Sequence, residues 1–224
     1  MRFAFTLHLL LFINVIIVRA QHAQISFIPK WQNQVLELGK YNPISSSDSV
    51  KVDVVKFYIT DISFWKQGKQ VYASPIKCHL IDLEINNVVK LNLPLNLSYD
   101  TIQFFIGTDS AANSTGAKAG DLDPMYGMYW AWQSGYINVK IEGSSSVCKT
   151  RKNAFQYHLG GYLSPYQTIQ QLAFANTSND INIAILIDSI LQYHTLINTP
   201  EVMSPSAQAV KYMQQFKQSF QLVR

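Results

Sequence analysis

The fold of this chain is decided by Ile181-Asn182-Ile183-Ala184-Ile185-Leu186-Ile187. Four isoleucines stand at every second position there. Strand side chains alternate between two faces, whereas helical ones return every three to four residues. The β-branched isoleucines also fit a pleated surface better than a helix. Outward from this stretch the same spacing recurs. Val50, Val52 and Val54 alternate with Lys51 and Asp53, and Phe57, Ile59 and Ile62 continue the run. Ile102, Phe104 and Ile106 repeat it, followed by Ile137, Val139 and Ile141, then Phe155, Tyr157 and Leu159, and then 169–174. Turn formers punctuate the runs at Asn42-Pro43-Ile44-Ser45-Ser46-Ser47, at Lys66-Gln67-Gly68-Lys69 and at Gly143-Ser144-Ser145-Ser146. Many short strands without intervening helices predict an all-β fold, an antiparallel β-sandwich. Near the end the period changes. Ser204 is placed to cap a helix with Pro205 at its first position, and Ala209, Tyr212 or Met213, Phe216 and Phe220 recur at helical spacing. A C-terminal amphipathic helix laid on the sandwich is expected.

Of the 224 residues, 48% are hydrophobic and 12% aromatic, which excludes a disordered chain. Only 14% are charged, the net charge is +4, and no Lys/Arg run occurs, so a nucleic-acid partner is not expected. Two of those four positive charges, Arg2 and Arg19, belong to a leader. Met1-Arg2 precedes an apolar run from Phe3 to Val18, and Val18-Arg19-Ala20 offers small residues around a cleavage point. The apolar run falls short of the ~20 residues that span a bilayer. Residues 1–20 therefore read as a signal peptide, and 21–224 as one domain that is periplasmic or secreted, with no membrane association after cleavage.

Export makes Cys78 and Cys148 informative. An oxidising compartment favours pairing them, which would close a loop worth about 4 kcal/mol in the chain-entropy model. Two separate buried thiols are the alternative.

Familiar catalytic constellations do not occur: there is no Gly-rich phosphate loop, no His-Glu-x-x-His and no Gly-x-Ser-x-Gly. An enzyme is not expected. His22, His79, His158 and His194 are too far apart in sequence to form a local chelate, so the fold would have to assemble any metal site. The stretch from Gly107 to Glu142 is the informative one. A strand enters a long loop carrying Asp109, Asn113, Asp121 and Asp123, hard oxygens suited to Ca²⁺ and equally to turn chemistry. The loop ends in Met125, Tyr126, Met128, Tyr129, Trp130, Trp132 and Tyr136. On a strand, Trp130 and Trp132 would share one face and form either core or a pocket wall.

The block from Asp121-Leu122-Asp123-Pro124 through Gly127-Met128-Tyr129-Trp130-Ala131-Trp132-Gln133-Ser134-Gly135-Tyr136 resembles the MbnP-like family of exported bacterial copper-binding proteins. The likeness continues in Phe57-Tyr58-Ile59-Thr60-Asp61-Ile62, in Phe155-Gln156-Tyr157-His158-Leu159-Gly160, and in Val202-Met203-Ser204-Pro205. The resemblance implies a β-sandwich whose partner is an MbnH-like di-haem oxidase. That partner converts a tryptophan of this segment to kynurenine, whose amine binds Cu(I) together with histidine. Carried over, the modified position is Trp130, with Trp132 second, and His158 and Met128 are candidate ligands. Imidazole suits copper and thioether suits Cu(I). This chain departs from the family pattern in two places. Thr199-Pro200-Glu201 stands where relatives often carry a histidine, and Tyr129 and Ala131 flank Trp130 where some have another. His194, nine residues before Met203, would substitute if its loop folded back. The competing reading is a non-catalytic interaction or ligand-binding sandwich with a degenerate metal site, for which the chain's 12 Tyr and 4 Trp are suited.

Overall fold

A computed structural model describes residues 20–133 and 135–223. The proposed leader lies outside them except for the backbone of Ala20, where the first strand begins. The alternating runs become strands β1 (Ala20–Trp31), β2 (Gln34–Val35), β3 (Tyr41–Pro43), β4 (Ser49–Lys66), β5 (Lys69–Ala73), β6 (Cys78–Asp82), β7 (Val88–Pro94) and β8 (Thr101–Ile106). After the short helix α1 (Ser110–Ser114) come β9 (Tyr129–Trp130), β10 (Gly135–Ser145), β11 (Ala154–Gly160), β12 (Gln170–Ala175) and β13 (Asp180–Leu186). The chain ends with α2 (Tyr193–Asn198), β14 (Glu201–Val202), α3 (Ala207–Gln218) and β15 (Phe220–Val223).

Two sheets form the sandwich. The smaller runs β15-β13-β1-β2, with β7 also on β1; the larger runs β12-β8-β4-β10-β11-β14, with β3, β5 and β6 along β4 and β9 on β10. Most pairs are antiparallel, as the sequence implied, but β1–β13 and β11–β14 are parallel. The deciding stretch, β13, thus lies between β1 and β15, and its Ile181, Ile183 and Ile185 point into the core.

Phe27 from one sheet and Phe57 and Phe104 from the other meet edge to face, with ring centroids 5.3 and 6.2 Å apart. That is the arrangement the ring quadrupole favours. Helix α3 closes this core. Its Ala209, Tyr212, Met213 and Phe216 are buried, and Phe216 meets Phe57 at 5.6 Å. The helix begins later than the sequence implied. Ser206, not Ser204, is the N-cap, accepting a bond from the Ala209 amide at 3.1 Å. Pro205 is instead used against Gly161, where an added Cβ would lie 3.1 Å from the proline ring. Phe220 is buried from β15 rather than from the helix.

Strand β4 changes phase twice. Val50 and Val52 are buried, then Val55, Phe57 and Ile59, then Ile62 and Phe64. The first shift falls where the register with β10 slips between Glu142 and Gly143; the second falls at Asp61, whose φ is +49°. A bulge adds one residue and swaps the faces beyond it. This is why Val54, expected inside, is only half-buried. The Gly143–Ser146 cluster is likewise no simple turn, since β10 runs on to Ser145. A Cβ on Gly143 would stand 2.0 Å from the Lys51 carbonyl oxygen, so glycine is required by close approach.

The cysteines are both free. Cys78 pairs with Thr60, whereas Cys148 follows Ser145, which pairs with Val50. Ten residues of β4 separate those levels, about 33 Å of strand. A disulfide needs Cα atoms within about 7 Å, so the expected bridge is ruled out by register.

Candidate functional site

The long loop is pinned to the outer face of the larger sheet by buried amides. Gly107 takes φ +98° and leaves no room for a Cβ beside Asn138. The Asn138 side-chain oxygen accepts from the Thr108 amide at 2.9 Å and its nitrogen donates to Thr168 at 2.9 Å. Asn113 donates to the Thr108 hydroxyl and accepts from the Tyr136 amide, at 2.9 and 2.8 Å. The loop's acids are also engaged. Asp109 caps α1 through the Ala112 amide, Asp121 accepts from the Leu80 amide on the free edge of β6, and Asp123 accepts from the Met125 amide. The four oxygen-bearing residues considered for Ca²⁺ thus each hold local backbone or side chains. Among the described residues, no three His, Cys, Asp or Glu side chains gather as a metal-binding group.

Beneath the loop lies a second apolar cluster, separate from the sandwich core: Tyr58, Leu80, Met128, Trp130, Tyr136 and Ile137. Tyr58 projects from the face of β4 opposite Phe57 and Ile59, and its ring meets Tyr136 at 5.8 Å. Trp130 is 5% exposed. Its β9 pairing with Gly135 sets it over β11, where a Cβ on Gly160 would lie 2.7 Å from Trp130 Cζ3. Gly160 thus provides the floor for the indole. Two polar atoms of this cluster are buried with no partner, the Trp130 Nε1 and the Tyr58 hydroxyl. Burial without an acceptor pushes the Tyr58 phenol well above its ordinary value.

Trp132 does not join Trp130 on a strand, because β9 ends at Trp130 and a turn follows. It is 67% exposed, with its ring centroid 5.9 Å from that of Trp130. The two indoles are neighbours of opposite burial.

His158 lies on the same face, two residues before Gly160 along β11 and therefore about 7 Å from it. It is 7% exposed. Its Nε2 is 2.6 Å from Glu142 Oε1, and Lys140 Nζ stands 3.4 Å from the same oxygen. The bond from His158, then the Lys140 charge, hold the Glu142 carboxyl below its usual range against the opposing effect of burial. With Nε2 donating to Glu142, Nδ1 keeps a lone pair to offer, the orientation a carboxylate gives a metal-binding histidine. Met128, fully buried, brings a thioether to the cluster.

His194 does not reach this place. It is exposed on α2, whose Leu196 carbonyl accepts from Cys148 beyond the far end of β10. Trp130 pairs with Gly135 at the near end, about 30 Å away along the strand. Glu142, Lys140 and Tyr58 lie inside the stretches the sequence singled out, but the sequence reading gave them no role of their own. Their signals were present: Lys140 and Glu142 alternate with the core residues of β10, and three consecutive large apolar residues, Phe57-Tyr58-Ile59, mark a strand covered on both faces. On the other side of the loop, Thr60, Lys77, Cys78, Thr108, Lys118 and Leu122 border a cavity of about 340 Å³. Burial pushes the Cys78 thiol up to about 12 there.

Fold and site together define a β-sandwich class carrying a tryptophan-centred cluster on the outside of one sheet, roofed by its own loop. The chain belongs to the MbnP family, whose model matches residues 20–204. Its fold is similar to that of MbnP from Methylosinus trichosporium, at 14% identity over 77% of this chain and 78% of that one, with a TM-score of 0.61. No curated protein matches the chain.

Proposed function

We propose that this is an exported, non-catalytic copper-handling protein whose metal site is completed by oxidation of Trp130. The observation that carries the reading is the buried Trp130 with its unpartnered Nε1, set over Gly160 on the face that also bears His158. An indole N–H offers no lone pair in the ring plane and is a poor ligand. Opening the five-membered ring to kynurenine exposes an aniline-type nitrogen that can bind Cu(I). His158 Nδ1 would be the imidazole donor, held by Glu142, and Met128 the nearby thioether; both suit Cu(I). No three ordinary ligands converge among the described residues, which fits a site that needs a donor made after folding. Trp130 is favoured over Trp132 because a buried, packed ring can be held in ligand geometry, and Trp132 lies mostly in solvent.

The oxidising partner in this reading is an MbnH-like di-haem enzyme. Met125, Tyr126 and Trp132, all within five residues of Trp130 in the chain, are exposed and would supply the apolar contact such a partner uses. Among the described residues no helix is long and apolar enough to cross a membrane, which accords with a secreted or periplasmic protein and does not by itself place it.

The same exposed side chains favour a second reading, an interaction module that has kept the fold and lost the metal. Competition with a chromophoric Cu(I) chelator separates the two, using chain co-expressed with an MbnH-like di-haem oxidase. The copper reading expects His158→Ala to weaken Cu(I) binding by at least about tenfold, with a smaller loss for Met128→Leu. Equal affinity in the wild type and His158→Ala would overturn it.

A further inference from the structure

We propose that Trp132 is the electron relay through which Trp130 is oxidised: an external one-electron acceptor touches Trp132, and Trp130 is oxidised through it. The inference rests on the oxidised-tryptophan reading above and adds the route. Trp130 is 5% exposed, with its benzo edge facing Gly160, so a large oxidant cannot lie against it. Trp132 is 67% exposed and its ring centroid is 5.9 Å from that of Trp130, at a tilt of 51°. At that separation two indoles exchange an electron readily. An exposed tryptophan gains little from burial, so packing does not account for this residue at the tip of the β9–β10 turn.

Tyr58 and Tyr136 are poor sinks. Tyrosine is oxidised easily only when its phenol proton has somewhere to go. The Tyr58 hydroxyl is buried without any acceptor, and the Tyr136 hydroxyl donates to the Leu122 carbonyl, a weak base. Neither of these two tyrosines therefore drains the oxidising equivalent from the tryptophan pair.

The steps balance. One electron leaves the Trp132 indole for the acceptor, a high-potential metal centre on the partner, which is reduced by one unit. Trp130 then gives one electron to the Trp132 radical cation, restoring that indole. A second electron leaves Trp130 by the same route and water adds at the ring carbon, so that one indole and one water give a hydroxylated indole, two protons to solvent and two reduced acceptors.

The test needs no native partner. The purified chain is illuminated briefly with ruthenium tris-bipyridine and persulfate, where ruthenium(III) is the one-electron acceptor. Tandem mass spectrometry of the tryptic peptide ending at Lys140 then assigns oxygen addition to Trp130 or Trp132. The wild type is expected to accumulate product at Trp130. Trp132→Phe and Trp132→Leu should lower the Trp130 product about tenfold, while the oxidisable Trp132→Tyr keeps most of it. Equal oxidation of Trp130 in the Phe and Leu variants would overturn the relay. So would a wild type in which Trp132 is consumed while Trp130 stays intact. Failure of the underlying reading looks different: Trp130 would be unmodified in protein co-expressed with its oxidase, whatever the ruthenium experiment gives.

Discussion

The two apolar clusters of this molecule are built from the same residue types and treat their polar atoms differently. In the sandwich core three buried polar aromatics are satisfied: Trp31 Nε1 donates to the Pro43 carbonyl at 3.1 Å, Tyr157 to Thr199 at 2.9 Å, and Tyr99 to Ser178. In the smaller outer cluster, Trp130 Nε1 and the Tyr58 hydroxyl have no partner. A buried polar group left unpaired costs about 1–3 kcal/mol. The core is therefore organised for stability, and the outer cluster tolerates a cost that stability alone would remove. The difference is what the proposed copper site in the outer cluster rests on.

The largest effect that can break this comparison is a pair of truncations. Phe57→Ala empties a site packed edge to face by Phe27, Phe216 and Phe220 and should cost about 3–5 kcal/mol in urea denaturation. Trp130→Phe keeps most of the ring volume and deletes the unpartnered N–H, and should cost about 1 kcal/mol or less. Equal losses would make Trp130 ordinary core.

A sharper test compares two hydroxyls. Tyr157→Phe loses its bond to the Thr199 carbonyl and should destabilise by about 1 kcal/mol. Tyr58→Phe loses a hydroxyl that bonds nothing and should be neutral or stabilising by about 1 kcal/mol. The same sign for both would mean Tyr58 has a partner in solution.

The smallest effect concerns the thiols. Burial raises Cys78 to about 12 and Cys148 to about 11, so the fold favours their protonated forms. That contribution is whole below the ordinary thiol value of about 8.5 and is lost as pH climbs toward those raised values. Urea midpoints should fall above about pH 8.5, less steeply for Cys78→Ala. Both cysteines should also alkylate in unreduced, denatured protein; a blocked pair would reinstate the bridge.

The alternation that forms the strands was legible because one-sided burial writes a period of two directly into the sequence. What the sequence hid depends on register. Val54 looks identical to Val52 until a slip near Gly143 swaps the faces. Cys78 and Cys148 look like a pair until β4 is seen to hold them a strand-length apart. His194 was a reasonable substitute ligand by sequence distance, yet α2 packs at the wrong end of β10. At the site, the Met128-to-Tyr136 block and His158 were readable, and the family followed from them. The family resemblance put Trp130 before Trp132, but their difference in burial was not readable, because Trp130 packs on Gly160, thirty residues further along the chain. Glu142 was given no role for a similar reason: one appears only when β10 and β11 set Lys140 opposite His158.

The central claim is that the outer cluster becomes a copper site through Trp130. Its most direct test is to measure copper content together with the mass of the peptide ending at Lys140, in protein co-expressed with its oxidase. The account predicts about one copper per chain and a gain of about 4 Da, the kynurenine change, assigned to Trp130. An unmodified Trp130 in copper-free protein would contradict it.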